Sequence, residues 1–498
     1  MAKPVAKLLI LLLELSLTTT IAAAGQAAEI TMVMIGSPAS SSNVPDPWRQ
    51  GVFLRPQCIS AVDISHDGKF IALATLAFRH DRNFWLVSDE GKVISSRYVE
   101  PWAPFQVALL PGAKACSVGL AYSRVTDPAP TVSLFDPATI EETVLVDAVW
   151  DLGWLRYGQG DWHSGWPVSM LGDLVVRTNE EVFTIFSHDG AWHMTADGQQ
   201  QKCPLPPQRP FRMAASGDGQ LLVHGFLVPD CRELDQKTRQ RLRLPKALVV
   251  VRNAKTLAEI WTAQPSDVPP PAMPPEPADE FPELARDFVI RPLTRVPFRA
   301  ALSVASNGDG SQTAWAEYGG WLRIKEERGI GSWNPDHPVA FCPRQRGWLR
   351  VHGLAGEESA RAELPAEGLF ELRFDPLGER LWCLPMSWFA RGLAGRAWLP
   401  ADAEARTVYV FDLRRKQWTA AWRFPDAVRD FVVAPGGHTV LASCWDGNLY
   451  FVNRDGNVLA EAAAGETARL AWSADGRFAL AATELGDVWS FDAKGQVR

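Results

Sequence analysis

Serine, histidine and aspartate stand side by side at Ser65-His66-Asp67 and again at Ser187-His188-Asp189. These residue types catalyse acyl transfer when the histidine takes the serine proton and the aspartate orients the histidine, which requires a chain of hydrogen bonds in space. Consecutive residues on a tight turn project in different directions, so neither run supplies that chain. Asn307-Gly308-Asp309-Gly310-Ser311 offers oxygen ligands but lacks the glycine spacing and closing glutamate of a calcium loop. No glycine-rich phosphate loop leads into a helix, and no His-Glu-x-x-His occurs. The nine histidines are scattered. Their spacing supports no metal site, and no cofactor is implied.

Binding chemistry is better represented. Tyr157-Gly158-Gln159-Gly160-Asp161-Trp162-His163-Ser164-Gly165-Trp166 mixes aromatic and polar side chains, as do Trp333-Asn334-Pro335-Asp336-His337 and Trp388-Phe389-Ala390-Arg391. A flat apolar ring stacks on a protein or sugar surface while its neighbours hydrogen-bond. Trp162, His163, Trp166, Trp333, His337 and Trp388 are therefore the candidate contacts. The alternative is that each ring packs on the scaffold and holds its own loop down.

The seven cysteines form no Cys-x-x-Cys and none precedes histidine, so neither clustered zinc nor attached haem is supported. Cys116, Cys383 and Cys444 sit in apolar runs and read as small buried residues. Cys203 and Cys231 flank one repeat and are expected to form a disulfide if the chain reaches an oxidising compartment.

These residues are carried by a recurrent turn between short apolar runs. It reads Ser65-His66-Asp67-Gly68-Lys69, Ser216-Gly217-Asp218-Gly219-Gln220, Asn307-Gly308-Asp309-Gly310-Ser311, Asp375-Pro376-Leu377-Gly378-Glu379, Ala434-Pro435-Gly436-Gly437-His438 and Ser473-Ala474-Asp475-Gly476-Arg477, with a degenerate copy at Leu110-Pro111-Gly112-Ala113-Lys114. Asp-Gly and Gly-Gly supply the positive φ of a two-residue hairpin turn. Hairpins returning at intervals of tens of residues mark radial repetition. The expected fold is an all-β propeller of eight four-stranded antiparallel blades, or seven if the third or fifth repeat is misread. With strands lettered A to D outward from the axis, the recurrent turn is placed between B and C. The run 30–35 is placed as a strand closing the ring on the last blade.

The stretches 432–452 and 470–483 resemble the WD40 core, and the chain resembles the WD40-like, YVTN-like and quinoprotein-like propeller superfamily. The Gly-His that opens a strict WD40 repeat is missing, and Phe135-Asp136, Phe411-Asp412 and Phe491-Asp492 replace its closing Trp-Asp. The resemblance implies a fold and no particular activity.

Long segments at 151–167, 229–245, 263–297, 325–347 and 385–406 all fall on A–B or C–D connections, and hence on one face of a propeller spanning 60–498. Long loops in compact domains are usually functional; neutral drift on an unpacked face is the alternative. Residues 1–28 read as a signal peptide: Lys3 and Lys7, an apolar run at 8–17, and a cleavage site after Ala24, followed by an N-terminal segment at 29–59. The apolar run is too short to span a bilayer, so a periplasmic or secreted protein is expected. A net charge of -7 over 498 residues gives no footprint for nucleic acid. Two functions fit: an exported module that binds protein or polysaccharide through the A–B/C–D face, or a hydrolase or quinone-dependent oxidoreductase with its site in the central channel.

Overall fold

The computed structural model describes residues 18–23, 26–34, 58–65, 67–76, 84–97, 103–109, 115–120, 131–135, 142–147, 174–176, 182–187, 190–195, 200–203, 212–230, 247–254, 256–268, 294–324, 339–341, 346–385, 402–465, 467–483 and 487–498. They are nearly all β, with one short helix, Asp402–Ala405.

The recurrent turn builds the first corner of its sheet. In the first copy the Gly68 N–H donates to Ser65 O at 2.8 Å, and the Ser65 N–H donates to Phe70 O at 2.9 Å. Four residues therefore lie between the paired strand ends, where a two-residue loop was expected. Only the glycine takes the left-handed conformation, at φ 68° in Gly68 and 71° in Gly476. Side chains do the rest. Ser65 Oγ donates to Asp67 Oδ1 at 2.7 Å, and Asp67 Oδ1 accepts the Lys69 N–H at 3.1 Å. Ser473 and Asp475 repeat the first of these bonds at 2.7 Å. The Ser-x-Asp-Gly pattern is thus turn chemistry, and the Ser65 hydroxyl is committed to it.

Eight sheets follow one another along the chain. The first contains Cys58–Ile64, Phe70–Leu76, Phe84–Ser88 and Val93–Arg97 in that spatial order. The seventh repeats the plan with Val428–Val433, Thr439–Cys444, Asn448–Asn453 and Val458–Ala463. First strands touch first strands of neighbouring sheets, and Cys58–Ile64 contacts both Ala103–Leu109 and Thr467–Trp472. The first strand is therefore innermost, and the recurrent turn joins A to B. The expected lettering is one strand out of step, because 93–97 stays in its own sheet instead of opening the next.

Apolar residues fill the space between adjacent sheets. Leu302, Leu349 and Val351 meet Phe370, Leu372 and Phe411 between the fifth and sixth. Trp382 and Trp422, ring centroids 4.8 Å apart, meet Phe431 and Tyr450 between the sixth and seventh. Ile71 meets Phe478 and Leu480 between the first and eighth. Each such fully buried side chain contributes roughly 1.5–3 kcal/mol. Cys383 and Cys444 belong to these cores, as expected, and burial pushes both thiols far above their usual pKa.

The third sheet is built from 174–176, 182–187, Gly190–Thr195 and Gln200–Cys203 in that order. In the fifth, the third strand is Arg346–Gly353, while 321–324 belongs to the second. One further expectation is corrected. The N-terminal strand Gln26–Met34 does not close the ring on the last sheet. It pairs in parallel with Gln417–Arg423 of the sixth, Thr31 opposite Ala420, and pairs on its other side with Thr18–Ala23. The eighth sheet takes its outermost contact from the chain's own Val497, bridged to Phe491.

Candidate functional site

In every sheet the first-to-second and third-to-fourth connections lie at one end, and the remaining connections lie at the other. The first set is short throughout. All the long segments leave from the opposite end, although their letters become B–C and D–A. Trp162, His163, Trp166, Trp333, His337 and Trp388 are on these segments and lie outside the described residues, as does Cys231. Cys203 ends the strand Gln200–Cys203, and its side chain is not described.

The insertions of the fourth and fifth sheets are organised by strands that the sequence did not reveal. Thr294–Ser306 and Gln312–Ile324 are each 13 residues long, whereas the corresponding strands of the first sheet have 7. Their inner halves pair as ordinary first and second strands. Their outer halves continue toward the insertion end, flanked by Leu227–Pro229 on one side and Val339–Phe341 on the other. The described strands beside these insertions, Leu227–Pro229, Thr294–Ser306, Gln312–Ile324 and Val339–Phe341, thus share one accessory sheet.

A buried carboxylate holds the root of this sheet. Glu317 is 0% exposed. Its Oε1 accepts the Ser266 N–H at 2.9 Å and the Ser266 hydroxyl at 2.6 Å. Arg350 Nη1 lies 3.2 Å from its Oε2, and Arg299 Nε lies 4.0 Å from its Oε1. Arg350 also donates to Gln264 O at 2.8 Å, and Arg299 donates to Val268 O. The start of the 263–297 segment is therefore bound to the blade by charge-assisted bonds, which are about twice as strong as neutral ones. Burial lowers the Arg299 pKa, opposed by Glu317 and reinforced by Arg361. Arg350 lies over the Trp315 ring at 5.1 Å. Next to it, His352 packs 4.4 Å from Trp315 and places Nδ1 2.9 Å from Gly356 O. Burial lowers the His352 pKa, so the ring is neutral near pH 7.

Toward the axis, the innermost strands carry charged residues that satisfy one another. Arg373 Nη2 lies 3.3 Å from Glu371 Oε2 and 3.3 Å from Asp430 Oδ1. Burial alone would lower the Arg373 pKa, but Glu371 and Asp430 outweigh it and raise the value. Asp63, on the first sheet, accepts the Leu109 N–H at 2.7 Å, and burial pushes its pKa up to about 6. Among the described residues no group of three or more His, Cys, Asp and Glu could hold a metal ion. This geometry positions structural hydrogen bonds between neighbouring sheets.

Antiparallel sheets in ring order, joined face to face by apolar cores, define a WD40-like β-propeller fold. Sqt1 of Saccharomyces cerevisiae has a similar structure at 9% sequence identity, over 88% of this chain and 96% of that one, with a TM-score of 0.50. The Dos1 propeller aligns at 8% identity over 90% of this chain and 98% of its own, with a TM-score of 0.49. At such identities the likeness speaks to fold alone. No protein-family model and no curated protein sequence matches the chain.

Proposed function

We propose that the chain is an exported interaction module that binds a protein or polysaccharide through the insertion-bearing end of its ring. The observation carrying this reading is that long segments leave from one end only, and the described strands beside three of them join in one sheet whose root holds Glu317. A rigid scaffold presenting elaborated loops is a common binding arrangement. Trp162, His163, Trp166, Trp333, His337 and Trp388 are the contacts proposed on those loops, and the propeller fold suits an interaction role.

Site-specific photo-crosslinking tests it. A benzophenone amino acid at Trp162 or Trp333 should yield crosslinked adducts in the native host. The same probe at Leu354 or Leu377, exposed residues of the short-turn end, should yield none. Adducts from the short-turn end alone would refute the proposed face. Export is tested separately, by fusing residues 1–28 to a reporter that is active only outside the cytoplasm.

A further inference from the structure

Most of the large apolar side chains that stand exposed among the described residues lie on three consecutive sheets, the seventh, eighth and first. Val458 and Leu459 open the outer strand of the seventh, and Val93 and Ile94 open that of the first. Trp489 and Val497 lie at the edge of the eighth. Each of the six is between 37% and 59% exposed. Ile94 and Leu459 occupy the same place in the repeat. Each is the extra residue of a β-bulge, since Val87 pairs with Val93 but Leu86 with Ser95, and Val452 pairs with Val458 but Phe451 with Ala460. At that place the fifth and sixth sheets carry Ser359 and Thr419, whose hydroxyls donate to Val351 O at 3.1 Å and Val410 O at 3.4 Å. The bulge therefore accepts a hydroxyl that is satisfied within its own sheet, and folding alone gives no reason for Ile or Leu there. Ile260 of the fourth sheet is also a bulge residue, but it follows the charged Glu259 where the first and seventh sheets have valine.

We propose that this stretch of the rim docks a second copy of the chain. Size supports that occupant. Six large apolar side chains, each about half exposed, present on the order of 400–500 Å² of apolar surface, the size of patch that marks interaction sites. A standard interface buries about 800 Å² per partner, of which roughly 500 Å² is apolar in homodimers. Charge supports it too. The outer turn of the first sheet carries Asp89 and Glu90 beside Lys92, and that of the eighth carries Lys494, with Arg498 just beyond Val497. The Asp492 carboxylate next to Lys494 is occupied in its own turn, where it accepts the Lys494 and Gln496 N–H groups, both at 2.9 Å. In a twofold contact, whatever one copy's residue meets on the other is met in return. An axis between the first and eighth sheets sets the acidic turn of each copy against the basic turn of the other, with Val93 and Ile94 against Val497. Side chains make the contact, because the bulges interrupt the ladder that an added strand would extend. The insertion-bearing end stays free in such a dimer.

Sedimentation velocity of the purified full chain, over a wide concentration range, tests the proposal. A reversible monomer–dimer equilibrium is expected. Ile94→Ser combined with Leu459→Ser, which copies Ser359 of the fifth sheet, should raise the dimer dissociation constant at least tenfold and leave the melting temperature of the dilute monomer level. Glu90→Lys should also weaken the dimer, and adding Lys494→Glu should restore it. Both of those residues are exposed, so the charge swap decides the matter if the serine pair impairs folding. A monomer at every concentration, or a dimer unmoved by a well-folded serine pair, would overturn the proposal. So would a loss in Glu90→Lys that Lys494→Glu fails to recover. If the purified chain is monomeric and a benzophenone probe at Ile94 captures a different protein in the native host, the second copy is overturned as the occupant. None of these outcomes touches the insertion-bearing end, which crosslinks from Trp162 and Trp333 probe separately.

Discussion

The Asp430 carboxylate accepts the backbone N–H of Leu470 at 2.9 Å, joining the innermost strand of the seventh sheet to that of the eighth. Its other oxygen lies 3.3 Å from Arg373 in the sixth sheet, so one side chain ties three sheets together. Asp430→Ala leaves the Leu470 N–H without its acceptor and should cost about 2 kcal/mol. Asp430→Asn, which keeps an acceptor but loses the charge, should fall between the variant and the parent. Chemical denaturation of the three proteins checks the order.

Glu317→Gln should be among the most damaging single changes, since it removes the charge that Arg299 and Arg350 share. Breaking a buried ion pair by neutralising one partner costs about 3 kcal/mol or more. The effect should also be local. Limited proteolysis should cut near 264–268 in the variant before the parent, because Ser266 has lost its strongest acceptor. Cleavage at equal rates would separate Glu317 from the anchoring of that segment.

Asp63 makes stability depend on pH in the direction opposite to most carboxylates. Its folded pKa of about 6 exceeds the ordinary aspartate value of 3.8, so the folded state resists its ionisation. Stability from this group is greatest below pH 4 and is lost as pH rises through about 6, by on the order of 3 kcal/mol. Asp63→Asn should remove that component. The parent and variant melting curves, compared at pH 5 and pH 8, should diverge at the higher pH, with the variant more stable.

Gly310→Ala and Gly476→Ala should differ although both glycines are left-handed, at φ 70° and 71°. Each substitution incurs the conformational cost of about 1 kcal/mol. At Gly310 an added Cβ would also meet Leu221 Cδ1 at 2.8 Å, whereas at Gly476 the nearest atom is Pro435 Cδ at 3.8 Å. Leu221 is buried, so Gly310→Ala should be the less stable variant in a denaturant titration.

The repeat was legible because its turn is written in local chemistry: glycine for the left-handed residue, and serine and aspartate for the bonds around it. A strand's place within its sheet was not, because alternation of apolar residues looks alike in first and second strands. Outer strands are weaker still. Glu259–Ala263 is mostly exposed and shows little of the expected pattern. The accessory sheet was hidden by Pro297, which read as the end of the long 263–297 connection. Pro297 in fact pairs with Trp321, and its carbonyl accepts the Asp230 N–H at 2.7 Å. The Glu317 clamp could not be read at all, because Ser266 lies 51 residues away in sequence and the glutamate looks like any polar residue of a strand.

The two 13-residue strands run from the accessory sheet down to the Asn307–Ser311 turn at the far end of the ring. At about 3.3 Å per residue they form a rod some 40 Å long. That turn in turn accepts bonds from the neighbouring sheet, Asp218 N–H to Gly308 O at 2.7 Å and Gly217 N–H to Asn307 O at 3.3 Å. The two strands therefore connect the outer tip to the opposite rim of the ring through one hydrogen-bonded ladder that is interrupted by a bulge between Ala301 and Ser303. At this position one strand pair spans the ring from end to end and, through the Asn307–Ser311 turn, is stitched to the neighbouring sheet as well.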